Sequence, residues 1–277
     1  LVAYDAPEEE KKHVQAEIRA LQELLLQKKG VKKHTFNGWN RSSEVLLLTI
    51  PAFRDALAEE VTGKKKVLKS GVRTIVPDFE TVMKIRTIQE LLFVIHTQTE
   101  GNVLSADPET LAAQLAESDL MQILAETHKG DVPFCFRIGV SGAMSLEERS
   151  IFSKRVATAI EGAFERNLIN STSHYEVELR LLQHREGGFV PLLKLYTLPD
   201  HRFDYRRYYV AASMKPMMAA GLMALAKPYL KEYAQILDPF CGVGTLLMER
   251  RFAVPARNAY GIDTFGEAIE KARVNSK

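Results

Sequence analysis

The chain has only two cysteines in 277 residues, Cys135 and Cys241, and they lie far apart without zinc-ligand spacing. They read as reduced thiols of a cytosolic protein. No apolar run of about 18 residues could span a bilayer, and no charged-then-apolar leader opens the sequence. Seven scattered histidines form no His-x-x-x-His or similar ligand pair, so no metal site is expected. A net charge of +2 is too small to announce nucleic-acid binding by itself. What is present, 46% hydrophobic and 26% charged residues, predicts two or three globular domains with real cores. There are no internal repeats and no low-complexity tracts.

The most informative run is Leu237-Asp238-Pro239-Phe240-Cys241-Gly242-Val243-Gly244-Thr245. It follows the apolar approach Ala234, Ile236 and Leu237, which suits a buried strand, and a helical stretch opens at Thr245. Asp238 should therefore end a strand, with Gly242 and Gly244 in the turn into the helix, where glycine lets the backbone approach a ligand. A second acid, Asp263, ends the strand-like run 259–262, placed to bind ribose hydroxyls. Leu247 stands where a dinucleotide fingerprint needs a third small residue. Thr245-Leu246 is not the Lys-Ser/Thr of a phosphate-cradling loop. The pattern fits a cofactor with adenosine and no phosphate, and S-adenosylmethionine is the obvious one. A glycine turn without ligand is the bland alternative.

This string resembles the cofactor motif of class I methyltransferases, specifically the RNA methyltransferases that carry a THUMP domain. The resemblance extends upstream through Ala211-Ala212-Ser213-Met214-Lys215-Pro216 and the Ala/Leu/Met-rich helix 217–226. It implies that Asp238, Phe240, Gly242, Gly244 and Thr245 line the cofactor and that Asp263 holds its ribose. Ser213, Met214 and Pro216 would close one side. Arg202-Phe203-Asp204-Tyr205-Arg206 departs from the family's Lys/Arg-Arg-Gly-Tyr-Arg by exchanging glycine for an acid. The family's Asn/Asp-Pro-Pro-aromatic motif, which places the target base, does not occur. With Leu1 at one end and Lys277 just past the second strand and part of its helix, the chain reads as a piece truncated within the Rossmann-like domain. The resemblance places no catalytic residue within the chain.

At the amino end, Pro7 and residues 8–10 open a helix on which Val14, Ile18, Leu21 and Leu25 recur at helical spacing. Lys28, Lys29 and Gly30 close it. Those lysines, with Lys32 and Lys33, are read as a solvated helix end, phosphate contact being the alternative. Trp39 reads as a packing plug rather than a base-stacking platform. Residues 45–50 are predicted as strand, 53–61 as helix, 67–68 and 72–76 as strands, 79–89 as helix and 91–96 as strand. That is the order of a ferredoxin-like unit, with Lys64, Lys65, Lys66 and Lys69 in the loop after its first helix. Further on, 111–115, 120–127 and 151–168 read as helices, and 134–140, 175–183 and 189–196 as strands. Glu176, Glu178 and Arg180 are placed on a wet face.

The predicted class is thus multidomain α/β and α+β: a ferredoxin-like unit plus a THUMP domain, followed by the first part of a Rossmann-like methyltransferase domain. The predicted divisions are 1–43 (helix and loop), 44–102 (ferredoxin-like), 103–200 (THUMP) and 201–277 (incomplete methyltransferase). In the family the THUMP module grips tRNA or rRNA by shape and phosphate contact, and candidate contacts are Arg137, Arg185, Lys194 and Arg202. The resemblance implies methylation of an exocyclic base amine, guanine first. The alternatives are a non-catalytic RNA-binding protein with a truncated or degenerate methyltransferase half, and a methyltransferase for DNA adenine or another acceptor. RNA affinity without methyl transfer would mark the first of these, and RNA–DNA competition the second.

Overall fold

The computed structural model describes residues 34–130 and 133–277, together with Pro7, Glu10, His13, Val14, Glu17, Ile18 and Leu21. Residues 13, 14, 17, 18 and 21 are helical, and Val14 and Ile18 are half-buried. The expected apolar position Leu25, the closing residues Lys28, Lys29 and Gly30, and the neighbouring Lys32 and Lys33 lie outside the described residues.

A short ladder pairs β1 (Thr35–Phe36) with β6 (His128–Lys129). Eight strands then form one mixed sheet: β2 (Ser43–Leu48), β3 (Lys65–Leu68), β4 (Gly71–Val76), β5 (Glu90–Val94), β7 (Phe134–Ser141), β8 (Leu168–Asn170), β9 (Val177–Gln183) and β10 (Phe189–Leu195). Their order is β3-β4-β2-β5-β10-β9-β7-β8. The expected boundary at 102/103 therefore falls inside a continuous sheet, because β5 and β10 pair at Val94↔Leu192 and Phe93↔Leu193. Helices α1 (Arg54–Glu60), α2 (Phe79–Met83), α3 (Pro108–Ala116), α4 (Leu120–Thr127) and α5 (Leu146–Ala163) complete this part. The main core runs from Val45, Leu47 and Phe93 through Leu111 and Leu115 to Phe136, Ile160 and Leu193. Trp39 is 3% exposed and packs edge-on against Phe93 at 4.8 Å, leaving no face for a base.

The structure departs from the pattern expected of the sequence at four places. The helix expected over 79–89 ends at Met83. Asp78 caps its start through Thr81 N–H at 2.7 Å, but the carbonyls of Ile85 and Ile88 turn away to accept the Arg202 guanidinium at 2.9 and 3.0 Å. Thr87 Oγ1 donates to Glu60 at 2.7 Å. The helix expected over 151–168 begins at Leu146, where Ser145 and Glu148 form a capping box. It ends before Glu165 and Arg166, whose φ of 48° and 66° break it without a glycine. Lys65 and Lys66 belong to β3 rather than a loop, and Lys65 Nζ donates to the carbonyl of Val61 at 2.7 Å. The wet face on β9 is not wet. Glu178 is 3% exposed within a network of Arg137, Arg180 and Tyr196. Glu176, also buried, accepts from the His34 backbone N–H at 2.7 Å.

The remaining part comprises α6 (Pro216–Ala226), β11 (Ala234–Asp238), α7 (Thr245–Ala253), β12 (Ala256–Gly261) and α8 (Gly266–Asn275), with β11 and β12 parallel. It docks on the large sheet's unit through α6. A Cβ at Gly221 would lie 2.3 Å from the Phe53 ring, so only glycine admits this approach. None of the helices among the described residues is long and apolar enough to cross a membrane.

Candidate functional site

Two parallel strands bring their carboxyl ends together at Asp238↔Gly261. Beyond that pair the ladder continues into the turn: Ile262 N–H donates to the Asp238 carbonyl, and Cys241 N–H to the Ile262 carbonyl, both at 2.9 Å. The turn then reverses by placing Gly242 at φ 53° and Gly244 at φ 80°, both left-handed, which a side chain would strain. Gly244 caps α7, and its carbonyl accepts from Met248 N–H at 3.0 Å. The helix therefore starts with its free N–H groups and positive dipole end at the strand tips.

The predicted residues gather here. Asp238 Oδ1 accepts from Phe240 N–H at 3.0 Å. Asp263 uses one carboxylate oxygen for Gly242 N–H at 2.8 Å and the other for Phe265 N–H at 2.9 Å. These backbone donors, Phe265 first, hold its carboxyl below the usual range, so it is an anion at neutral pH with lone pairs left to accept. Phe240 is 83% exposed. A Cβ built on Gly242 meets nothing within 4 Å, so open space lies above the turn. Thr245 is buried, and its hydroxyl has no hydrogen-bond partner. Ser213 Oγ accepts from Val210 N–H at 2.8 Å, closing the turn that leads to Met214 and Pro216 at the start of α6.

This donor set fits a nucleoside cofactor. It offers an anionic acceptor at one strand tip, open space over a bare backbone, an unsatisfied hydroxyl and a helix start. Cys241 does not fit a nucleophile. Burial, then the charges of Asp238 and Asp263, push its thiol up and keep it protonated. Among the described residues no group of three or more His, Cys, Asp or Glu could hold a metal ion.

Two residues that pack against the turn carry no mark in the sequence. Gly261 is required because a Cβ there would lie 2.7 Å from Cys241 Sγ and 3.1 Å from Leu247 Cδ1. It supplies from the neighbouring strand the close packing that the absent third small residue would give. Asn275, at the end of α8, reaches the Val243 carbonyl within the turn at 3.1 Å. Neither has a local signature, since each meets its partner across space.

The four candidate RNA contacts do not cluster at this turn. Arg137 sits against the edge-to-face pair Tyr175 and Tyr196, at 4.1 and 5.1 Å from their centroids, and pairs with Glu178. Lys194 pairs with Glu90. Arg202 is a structural clamp, because its side chain is 8% exposed and bound to Asp200 as well as the two carbonyls. Arg185 stands exposed in the turn between β9 and β10 and has no ion pair among the described residues. The departing stretch 202–206 forms the joint between the two parts. There Arg86 grips Glu249 of α7 with two 2.8 Å bonds, and Tyr205 OH donates to Glu249 at 2.7 Å. A cavity of about 450 Å³ opens beside this joint, lined by Glu60, Lys84 and Lys227 among others.

Residues 204–277 match the RMKL-like methyltransferase domain. No curated protein matches the chain. Among solved structures it is similar to TrmN from Thermus thermophilus, at 20% identity over 84% of this chain and 69% of that one, with a TM-score of 0.59. SMU.472 complexed with SAH aligns at 16% identity over 85% of this chain and 72% of its own, TM-score 0.59. A predicted N6-adenine-specific DNA methylase from Listeria monocytogenes aligns at 16% identity over 85% and 71%, TM-score 0.58. At these identities the likeness is one of fold.

Proposed function

We propose that the chain is the THUMP-bearing and cofactor-binding portion of a cytoplasmic S-adenosylmethionine-dependent RNA methyltransferase acting on an exocyclic base amine, guanine first, of tRNA or rRNA. The observation that carries this is the turn at β11. Two left-handed glycines there expose backbone beside a helix start, and the second strand's acid holds the turn at Gly242. The match of residues 204–277 to a methyltransferase domain points the same way. In this reading 44–102 is the ferredoxin-like unit, supported by the strand order β3-β4-β2-β5. Residues 103–200 are the THUMP domain, 1–43 precede both, and 201–277 begin the Rossmann-like domain.

When bound, the cofactor supplies an activated methyl group on a sulfonium. This chain's own residues bind and orient. Asp263 accepts from the ribose hydroxyls while its backbone bonds keep it ionised, and Gly242 and Gly244 leave room over the turn. Asp238, Phe240 and Thr245 line the turn, and Ser213, Met214 and Pro216 close one side. Holding donor and acceptor in one geometry provides much of the acceleration in such transfers, and the base must leave its stack to reach the donor. Activation of the acceptor belongs to an Asn/Asp-Pro-Pro-aromatic segment, which these 277 residues do not contain. Arg185 is the most available of the RNA candidates.

The test is calorimetric titration of SAH into the chain and into Asp263→Ala, with an RNA gel shift alongside. Loss of two charge-assisted hydrogen bonds should weaken SAH by about a hundredfold while RNA affinity stays. Equal SAH affinity in the variant would remove Asp263 from the site. Tighter retention of duplex DNA than of structured RNA would move the substrate to DNA.

A further inference from the structure

Asn275 is 3% exposed, and its amide is fully engaged. Its Oδ1 accepts from Tyr208 N–H at 3.0 Å, while Nδ2 donates to the Tyr208 carbonyl at 3.0 Å and to the Val243 carbonyl at 3.1 Å. The two bonds to Tyr208 copy the pairing of a neighbouring strand residue. The third reaches the residue between the two left-handed glycines. One buried side chain thus ties the 206–213 strap to the glycine turn. Four residues earlier on the same face of α8, Lys271 Nζ donates to the Tyr209 carbonyl at 3.1 Å. Past Tyr209 the strap closes on itself, with Ser213 N–H donating to the Val210 carbonyl at 2.9 Å and Val210 N–H to Ser213 Oγ. At Ser213 the side wall of the candidate site begins.

We infer that Asn275 is a positioning residue of the cofactor site, fixing the spacing between the 206–213 strap and the glycine turn, with Lys271 as a second tie. The inference rests on reading that turn as the cofactor site. Only an amide serves here, because the side chain must donate to two carbonyls and accept from an N–H at once. A carboxylate would face two carbonyl oxygens with no hydrogen to share. Alanine would leave a backbone N–H and two carbonyls without their partner.

The experiment is SAH titration on the chain, Asn275→Ala, Asn275→Asp and Lys271→Met, each with a thermal melt and hydrogen–deuterium exchange. The wild-type chain should bind. Both Asn275 variants should weaken SAH about tenfold or more, and Lys271→Met about threefold. In the Asn275 variants exchange should quicken at Tyr208 and in the glycine turn while β9 and β10 stay protected, a pattern that general destabilisation would not give. A folded Asn275 variant with wild-type SAH affinity overturns the inference. Should neither fold, Lys271→Met decides: it removes the strap tie together with the pair to Glu267 one turn away on the same helix, and unchanged affinity overturns the inference equally. A wild-type chain that binds no SAH removes the cofactor reading and this role with it, whereas binding that the variants leave unchanged removes this role alone.

Discussion

The joint at Glu249 gives the sharpest energetic prediction. Its carboxylate is 1% exposed and held by Arg86 through two bonds of 2.8 Å and by Tyr205 through one of 2.7 Å. Burial, with the bond to Glu249 next, pushes the Tyr205 hydroxyl well above its ordinary range, so it remains a donor. Replacing Arg86 by methionine keeps an unbranched apolar side chain but removes the guanidinium that lies 4.2 Å over the Phe252 ring and strands a buried anion. Removing one partner of such a pair costs about 3–5 kcal/mol, whereas replacing both by apolar groups is close to neutral. For a chain of this size that is a fall in Tm of at least about 6 °C. Arg86→Met with Glu249→Leu should recover most of it, giving a coupling of about 2 kcal/mol or more in a double-mutant cycle. Differential scanning calorimetry of the four proteins reads it. An Arg86→Met melt within about 1 °C of wild type, or a double variant as unstable as the single, would refute the reasoning.

Two further outcomes follow from packing and titration. Gly261→Ala forces a methyl to 2.7 Å from Cys241 Sγ and should cost about 1–3 kcal/mol in urea denaturation; Cys241→Ala in the same chain should return part of it, and no cost in the single change would mean that the turn has room. Burial, with the Glu176 charge adding to it, pushes the Cys135 thiol from near 9 up to about 11. Between those values the unfolded chain loses this proton and the folded one keeps it. The thiol's contribution to stability is therefore complete below about 9 and lost as pH rises towards 11. The urea midpoint of wild type should drop more steeply than that of Cys135→Ala over this window, and parallel curves would contradict the assignment.

The glycine turn was legible because its signals are local. A residue at φ of 53° or 80° favours glycine, and the neighbouring apolar strand and helix-forming run identify themselves by pattern. The ends of α2 and α5 were not. The first is set by an arginine 117 positions away that takes up the Ile85 carbonyl, and the second by Glu165 and Arg166 adopting left-handed backbone without glycine. The alternation of Glu176, Glu178 and Arg180 suggested water, yet opposite charges stand in for it: Arg137 of the adjacent β7 at Glu178, and Glu90 of β5, two strands away, at Arg180. Arg202 was a candidate phosphate contact through the family resemblance. Only the fold shows that its guanidinium is occupied by backbone carbonyls. Gly261 and Asn275 carry no sequence mark at all, since their roles are defined by what lies opposite them.

The pairing of β5 with β10 also has a consequence in time. Val94 and Leu192 are separated by roughly 100 residues, so at a translation rate of about 5–20 residues per second the inner edge of β5 waits on the order of 5–20 s for its neighbour to leave the ribosome. During that interval the apolar run Leu91 to Val94, buried in the finished sheet, presents an open strand edge, the kind of surface that seeds aggregation. The first four strands of the sheet are therefore a nascent intermediate that needs shelter, and cutting the gene after residue 102 would make that exposure permanent.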